Sequence, residues 1–321
     1  MKHHYIDHLD KEHFGFVPNR DRWQFHFEDL RNADESARIL TITKWDKNWE
    51  RLFDFQHLQE LTLHEPNKDQ LAALPRLKGI CRLRITHARP KCLEMLSALV
   101  ELEELVLEYV SGVDDLGPLS ALPSLRSVFF ENLRRVRDFA GIAGTKQLKY
   151  LSIDGTLDWA QPIESLKFLA QLPLLAHLRL SGVRVLDDRC PLSHIAEHSK
   201  LEKVELSSSA FLLEDFAWLE AKRPDIEGAV QRPFWHFGGE RRELDRLDYR
   251  AGLSAAELRD GSYSNIEIDE DGKRYELTPF QAYLLGKGER MASGVREKVQ
   301  AKCAAHEERY RALVNGFVAS G

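Results

Sequence analysis

The residues whose types and spacing could do chemistry lie near the two ends of the chain. Cys303 and His306 stand three apart in a helical pattern, so a thiol and an imidazole share one face, as a nucleophile and its base would. No third group is placed to orient the imidazole. Cys303 also falls inside an apolar stripe formed by Val295, Val299, Cys303, His306, Tyr310, Leu313 and Phe317. A thiol there behaves as a small inert hydrophobe. Asp269 to Gly272 resembles the opening of a calcium loop, but the twelfth position is Phe280 where a bidentate Glu belongs, so a hairpin turn accounts for it better. Gly286-Lys287-Gly288 follows a helical pattern with no strand before it, which makes it a turn and not a phosphate loop. His3, His4, His8 and His13 could offer imidazoles to a metal, yet no Cys or Glu stands at ligand spacing beside them. GxSxG, GxxxxGK[ST] and HExxH are absent. The expectation is a non-enzyme with no catalytic residue, no metal and no cofactor.

What the chain offers instead is a repeated surface. Between Leu96 and Ile153 one phrase comes three times: Leu102-x-x-Leu105-x-Leu107, Leu125-x-x-Val128-x-Phe130 and Leu148-x-x-Leu151-x-Ile153. This is the strand-bearing half of a leucine-rich repeat. Taking the fourth position as a marker gives Leu40, Leu61, Leu83, Leu105, Val128, Leu151, Leu178 and Val204, separated by 21, 22, 22, 23, 23, 27 and 26 residues. A worn ninth unit lies between Pro224 and Val230. The other half of each unit also recurs. Leu93, Leu96, Leu99 and Leu102 follow a period of three, as do Leu166, Leu169, Leu172 and Leu175, which suits a 3₁₀ turn or short helix. Such a unit cannot bury its apolar face alone and must stack on its copies. The expected fold is α/β: a leucine-rich repeat solenoid with one curved parallel sheet and short helical pieces on the convex side. A small α+β extension follows it.

With units near 22 residues, the pattern resembles bacterial leucine-rich repeat proteins of the internalin-like type. One departure stands out. The ninth position of the phrase, usually Asn, holds Trp45, Pro66, Ala88, Val110, Leu133, Thr156, Val183 and Ser209. The turns after the strands must therefore close with other bonds. The resemblance implies a protein-binding module, working as an adaptor, as an inhibitor such as an antidote, or as the regulatory subunit of an enzyme. Some proteins of this type carry a ubiquitin ligase with a nucleophilic Cys after the repeats; here the tail is about 90 residues, short for that domain.

Residues 1–36 do not repeat and are expected to cap the first strand, with Phe25 and Phe27 alternating as on a half-buried strand. Residues 37–230 carry the repeats. Phe211, Leu212, Phe216 and Leu219 share a helical face near their end. Residues 231–321 form the extension, with a hairpin from Ile266 to Leu277, a helix start at Thr278-Pro279 and a long final helix. The stripe on that helix is expected to pack on the hairpin or the last repeat. The 321 residues carry a formal net charge of -6 with no long basic run, which argues against nucleic acid. No stretch is apolar enough to span a membrane and no apolar leader opens the chain. Four cysteines without a CxxC pair suit a reducing, cytoplasmic setting.

Alternation along each strand sends the marker side chains into the core and their neighbours to the concave face. That places Val106, Phe129 and Tyr150 as an apolar island over repeats four to six. Glu108, Glu131 and Asp154 form an acidic row beside it, with Arg84 on one flank and His177 and Arg179 on the other. An apolar centre with a charged rim suits a protein partner whose own surface is basic or of mixed charge.

Overall fold

The computed structural model describes residues 19–186, 189–245, 248–258 and 265–320. The four N-terminal histidines lie outside the described residues. The chain divides into two compact units, Met1–Phe211 with Lys222–Val230, and Leu212–Ala221 with Gln231–Gly321. The boundary differs from residue 230, because Leu212–Ala221 goes with the second unit.

The first unit is built on one parallel sheet of eight strands, β1 (Ile39–Thr43), β2 (Glu60–His64), β3 (Arg82–Thr86), β4 (Glu104–Glu108), β5 (Ser127–Glu131), β6 (Tyr150–Asp154), β8 (His177–Ser181) and β10 (Lys203–Leu206), in that spatial order. The eight markers pair in a single register from Leu40 across to Val204. All of them are buried. This ladder of identical phrases is a leucine-rich repeat solenoid. The two longest spacings are taken up by a second small ladder, β7 (Gln161–Ile163) with β9 (Val183–Val185). The worn ninth unit contributes a single bridge, Lys203 to Glu227.

Behind the sheet run 3₁₀ turns at Trp49–Asp54, Leu74–Arg76, Glu94–Leu96, Gly117–Ala121, Ala140–Gly144 and Lys167–Gln171, and the short helices α1 (Lys68–Ala73) and α2 (Ser193–Ala196). Their leucines close the core, with Leu93, Leu96, Leu166, Leu169, Leu172 and Leu175 fully buried. Phe130, Phe139 and Phe168 form a file of rings 5.9 and 6.2 Å apart.

The first strand edge is covered, but not by a strand. The segment expected to be extended is a 3₁₀ turn, Asn19–Phe25, followed by one bridge from His26 to Thr41. Phe25 turns into the core and Phe27 does not. Thr41 Oγ1 donates to the Arg22 carbonyl at 2.9 Å, and Asp46, itself buried, accepts from Thr43 N–H at 2.7 Å and lies 3.0 Å from His26 Nε2.

The missing Asn ladder is replaced at the position just past β2, β3, β4, β5 and β8. There Glu65, His87, Tyr109 and Asn132 all adopt positive φ, between 48° and 56°, and Gly182 does so at 56°. In that left-handed turn the N–H of Glu65, His87, Tyr109 and Asn132 donates to the last carbonyl of the next strand, at 2.9 to 3.0 Å. The next residue then turns inward: Ala88, Val110 and Leu133, in the Asn position, are buried. One amide does substitute, since buried Gln161 accepts from Leu133 N–H at 3.0 Å and donates to the Val136 carbonyl at 2.8 Å. Asn and Gly tolerate this backbone; for His, Tyr or Glu it costs about 1–3 kcal/mol.

The second unit holds two antiparallel sheets. In one, β15 (Phe280–Leu284) lies between β11 (Phe234–Phe237) and β16 (Ala292–Gly294); in the other, β14 (Arg274–Leu277) lies between β12 (Arg241–Glu243) and β13 (Ile266–Ile268). The hairpin from Ile266 to Leu277 forms as expected. The helix expected at Thr278-Pro279 does not: Thr278 bonds the backbone of Glu240 and the chain continues as β15. Phe280, Ala282 and Leu284 alternate onto a shared core, a period of two that the run FQAYLL conceals. After α3 (Leu213–Lys222) and α4 (Ala255–Leu258), the final helix α5 (Arg296–Ala319) buries Val299, Cys303, His306 and Tyr310, as its spacing predicts, while Val295 lies outside it and exposed. The stripe packs on the β11–β15–β16 sheet through Ala282 and Ala292, and not on the hairpin.

Leu105, fully buried at the centre of the marker column, tests this register. Leu105→Ala should lower stability by about 2–5 kcal/mol through the cavity it leaves. An unchanged melting temperature would mean that the column does not form the core.

Candidate partner-binding face

Three rows of side chains face outward from the sheet, at the positions before, after and three after each marker. Cross-strand pairing makes each row continuous. Arg84, Val106, Phe129, Ser152 and Arg179 form one row; Glu108, Glu131 and Asp154 form the second; Tyr150 and His177 lie in the third. Tyr150 is thus diagonal to Phe129, and Ser152 is the residue directly beside it. The Tyr150 and His177 rings meet edge to face at 4.8 Å.

The face is more closed than alternation alone implies. Val106 and Arg84 are only 2% exposed. Glu108, Tyr150 and Asp154 are buried, whereas Phe129, Glu131, His177 and Arg179 are half-buried. The arginines turn in toward the acids. Arg84 Nη1 lies 3.7 Å from Glu108 Oε1, and Arg179 lies 3.1 Å from Asp154 and 3.6 Å from Glu205. The two outer members of the acidic row are therefore neutralised. Glu131, between them, forms no ion pair with any described residue. Burial, then the neighbouring Glu108, raises its pKa against the hydrogen bond from Tyr109. What stays accessible at the centre is Phe129 beside an uncompensated carboxyl.

A second group lies toward β1, in residues read only as face positions. Arg82 sits between Glu60 and Glu104, at 3.6 and 3.5 Å, and the two carboxylates are 2% and 3% exposed. At those separations the pairs are ionic contacts without good hydrogen bonds, and Glu60 Oε2 and Glu104 Oε1 accept none. Burial consequently outweighs attraction to Arg82 and pushes the Glu104 carboxyl up to about 8 and that of Glu60 to about 7.

The rim just past the strands was not legible as a site. Trp23, His64, His87 and Tyr109 make a file of rings, with centroids 5.2, 5.5 and 4.8 Å apart and the last pair stacked. His64 Nδ1 lies 2.9 Å from Arg22 Nη2 and 2.7 Å from Thr86 Oγ1. Reading one column past the strand would have found it, since Asn132 and Gly182 mark the position as left-handed and the bulky His87 and Tyr109 break that rule.

The tail residues with reactive types are placed as structure. Cys303 is 1% exposed and burial pushes its thiol up. His306 Nε2 donates to the Leu285 carbonyl at 2.9 Å. Asp269 Oδ1 accepts from Asp271 N–H and Lys273 N–H, so the carboxylate closes the hairpin turn. Gly286-Lys287-Gly288 does follow a strand, contrary to the sequence pattern, but it joins the antiparallel β15 and β16 and opens no helix. Among the described residues no cluster of His, Cys, Asp and Glu could hold a metal, and no helix is long and apolar enough to cross a membrane.

Two measurements check these assignments. A carboxyl whose folded pKa is raised binds more protons folded than unfolded. Its contribution is complete below the unfolded value near 4.5 and is lost as pH rises through 7 to 8. Glu104→Gln should therefore leave the melting temperature unchanged at pH 5 and raise it at pH 9. A lower melting temperature at pH 9 would mean that the pairing with Arg82 dominates. Cys303→Ser should cost about 1–3 kcal/mol by burying a hydroxyl and leave any partner affinity intact; loss of function with unchanged folding would restore Cys303 as a nucleophile.

No family model and no curated protein matches the chain. Among solved structures the chain is similar to internalin C2 from Listeria monocytogenes, with 21% identity over 53% of this chain and 73% of that one and a TM-score of 0.37. It is also similar to TLR13 in its complex with ssRNA13, with 16% identity, a TM-score of 0.36, and 56% of this chain against 31% of that one. The chain thus spans about a third of TLR13. The in-register ladder of eight repeats remains the ground for the solenoid fold.

Proposed function

We propose that the chain is a protein-binding module that docks a partner on the open face of repeats four to six, as an adaptor or inhibitor in a reducing, cytoplasmic setting and without chemistry of its own. On this reading residues 37–230 are the receptor, 1–36 its cap and 231–321 an extension. The observation that carries it is Phe129. A phenylalanine only half-buried in mid-sheet leaves apolar surface in water that a docked partner would cover. Beside it Glu131 is the one member of the acidic row with no ion pair among the described residues. A basic side chain of the partner would supply the missing charge, while Arg84 and Arg179 hold the outer acids in place. Tyr150 and His177 extend the patch diagonally.

A partner captured from the native cell and measured by surface plasmon resonance tests this. Phe129→Ala should weaken binding by about 2 kcal/mol, mainly through faster dissociation. Glu131→Lys should slow association and flatten its salt dependence. Wild-type rates in both variants would remove the site from this face and point to the extension after Arg232.

A further inference from the structure

Two columns past the strands have no place in that reading. Four residues beyond the markers of repeats three to five stand His87, Tyr109 and Asn132. Six beyond stand Arg89, Ser111 and Arg134. The residues between them, Ala88, Val110 and Leu133, are buried, and so is Asn132, which leaves His87, Tyr109, Arg89 and Arg134 as the exposed members of the two columns. They line a pocket of about 330 Å³. Its sides are the stacked His87 and Tyr109 rings, 4.8 Å apart, and the Arg89 and Arg134 side chains. Ser111, the smallest residue of its column, leaves the gap between the arginines.

We propose that this rim pocket is a second binding site, for a small ligand in which a flat ring carries a phosphate. Three features support that class. The left-handed backbone at His87 and Tyr109 is strained for those residues, while Asn132 and Gly182 fill the equivalent position in two other repeats without strain. Stability has been given up there to present rings. Next, Arg89 forms no ion pair with any described residue, and Arg134 uses only Nε, donated to Asn132 Oδ1 at 3.2 Å, while its guanidinium lies 5.9 Å from the Trp159 ring. Two such forks suit the double charge and several oxygens of a phosphate monoester better than a single carboxylate. Glu108 is held by Arg84, and the Glu131 carboxyl faces the Tyr109 hydroxyl and not the two free guanidinium forks. Finally, the frame is set before any ligand arrives. Ser111 N–H donates to the Ala88 carbonyl at 3.1 Å, and the Pro90 carbonyl leaves no room for a Cβ at Gly112.

The full chain can be tested without knowing its partner. Phenyl phosphate, AMP, inorganic phosphate and benzoate would be titrated while the His87 ring resonance is followed by NMR. At least one of the two ring-bearing phosphates should bind tenfold or more tighter than inorganic phosphate and benzoate. Preference between the two would tell a small phenolic phosphate from a nucleotide. Arg89→Ala, Arg134→Ala and Ser111→Glu should each weaken that binding at least tenfold with the fold unchanged. His87→Asn should weaken it too, yet melt at the same or a higher temperature, because Asn relaxes the turn. Phe129→Ala should leave it unaltered, which separates this pocket from the docking face. The proposal is overturned if no ring-bearing phosphate outbinds inorganic phosphate, if the arginine variants bind as wild type, or if His87→Asn lowers the melting temperature.

Discussion

Everything in the repeat unit depends on one constraint, the single register in which eight strands pair. A parallel strand places its side chains alternately on two faces, so a slip of one residue would exchange core and surface along the whole strand. Here Leu105, Val128 and Leu151 are locked side by side in the core, and that fixes Val106, Phe129 and Ser152 side by side outside it. The face is thus not assembled from independent loops. Its neighbour relations follow from the apolar columns behind it. The variation in unit length, from 21 to 27 residues, is absorbed elsewhere, the longest spacings by the small β7–β9 ladder.

The same geometry decides how charges behave on that face. Residues in one row sit a strand spacing apart, about 4.8 Å, so acids and bases in adjacent repeats must meet. Where the row alternates, as in Glu60, Arg82 and Glu104, the groups close over one another and lose water. Their separations of 3.5 to 3.6 Å are too long to recover the lost hydration, and protonation of the carboxyls becomes the cheaper state. Where three acids are consecutive, at Glu108, Glu131 and Asp154, arginines reach only the outer two. One kind of row yields a sealed polar patch and the other an unneutralised centre. The second can gain from a partner's charge; the first has already spent its groups on each other.

How much of this was legible in the sequence varies with the period of the signal. The markers, the 3₁₀ leucines and the buried stripe on α5 repeat many times, so the core and the eight strands could be read residue by residue. Where only one instance exists, local pattern misleads. Thr278-Pro279 has the residue types of a helix start, yet tertiary pairing with Glu240 draws the chain into β15. Phe25 and Phe27 alternate like a strand, but a 3₁₀ turn buries Phe25 and the edge then takes only one bridge, at His26. Of the face, direction was legible and depth was not. Alternation says that Arg84 and Val106 point outward. Only the neighbouring side chains say that they are covered there, leaving Phe129 and Glu131 as the accessible centre.

The absent Asn ladder has the widest consequence. In its place the turn is closed by backbone, through a left-handed residue whose N–H bonds the next strand, and the old Asn position becomes apolar core at Ala88, Val110 and Leu133. Closure by backbone makes no demand on the side chain of the left-handed residue beyond tolerating its φ. A buried amide ladder would instead have placed Asn at the neighbouring position, here Ala88, Val110 and Leu133. The left-handed position is therefore open to residues other than Gly and Asn, at a modest conformational cost. Asn132 and Gly182 occupy it toward the C-terminal end of the sheet, with Asn132 Oδ1 accepting from Arg134 Nε. Glu65, His87 and Tyr109 occupy it on the N-terminal side, where a salt bridge to Lys44 and the ring stack are built. The way the solenoid closes its turns thus determines where a second surface can be placed, on the rim just past the strands.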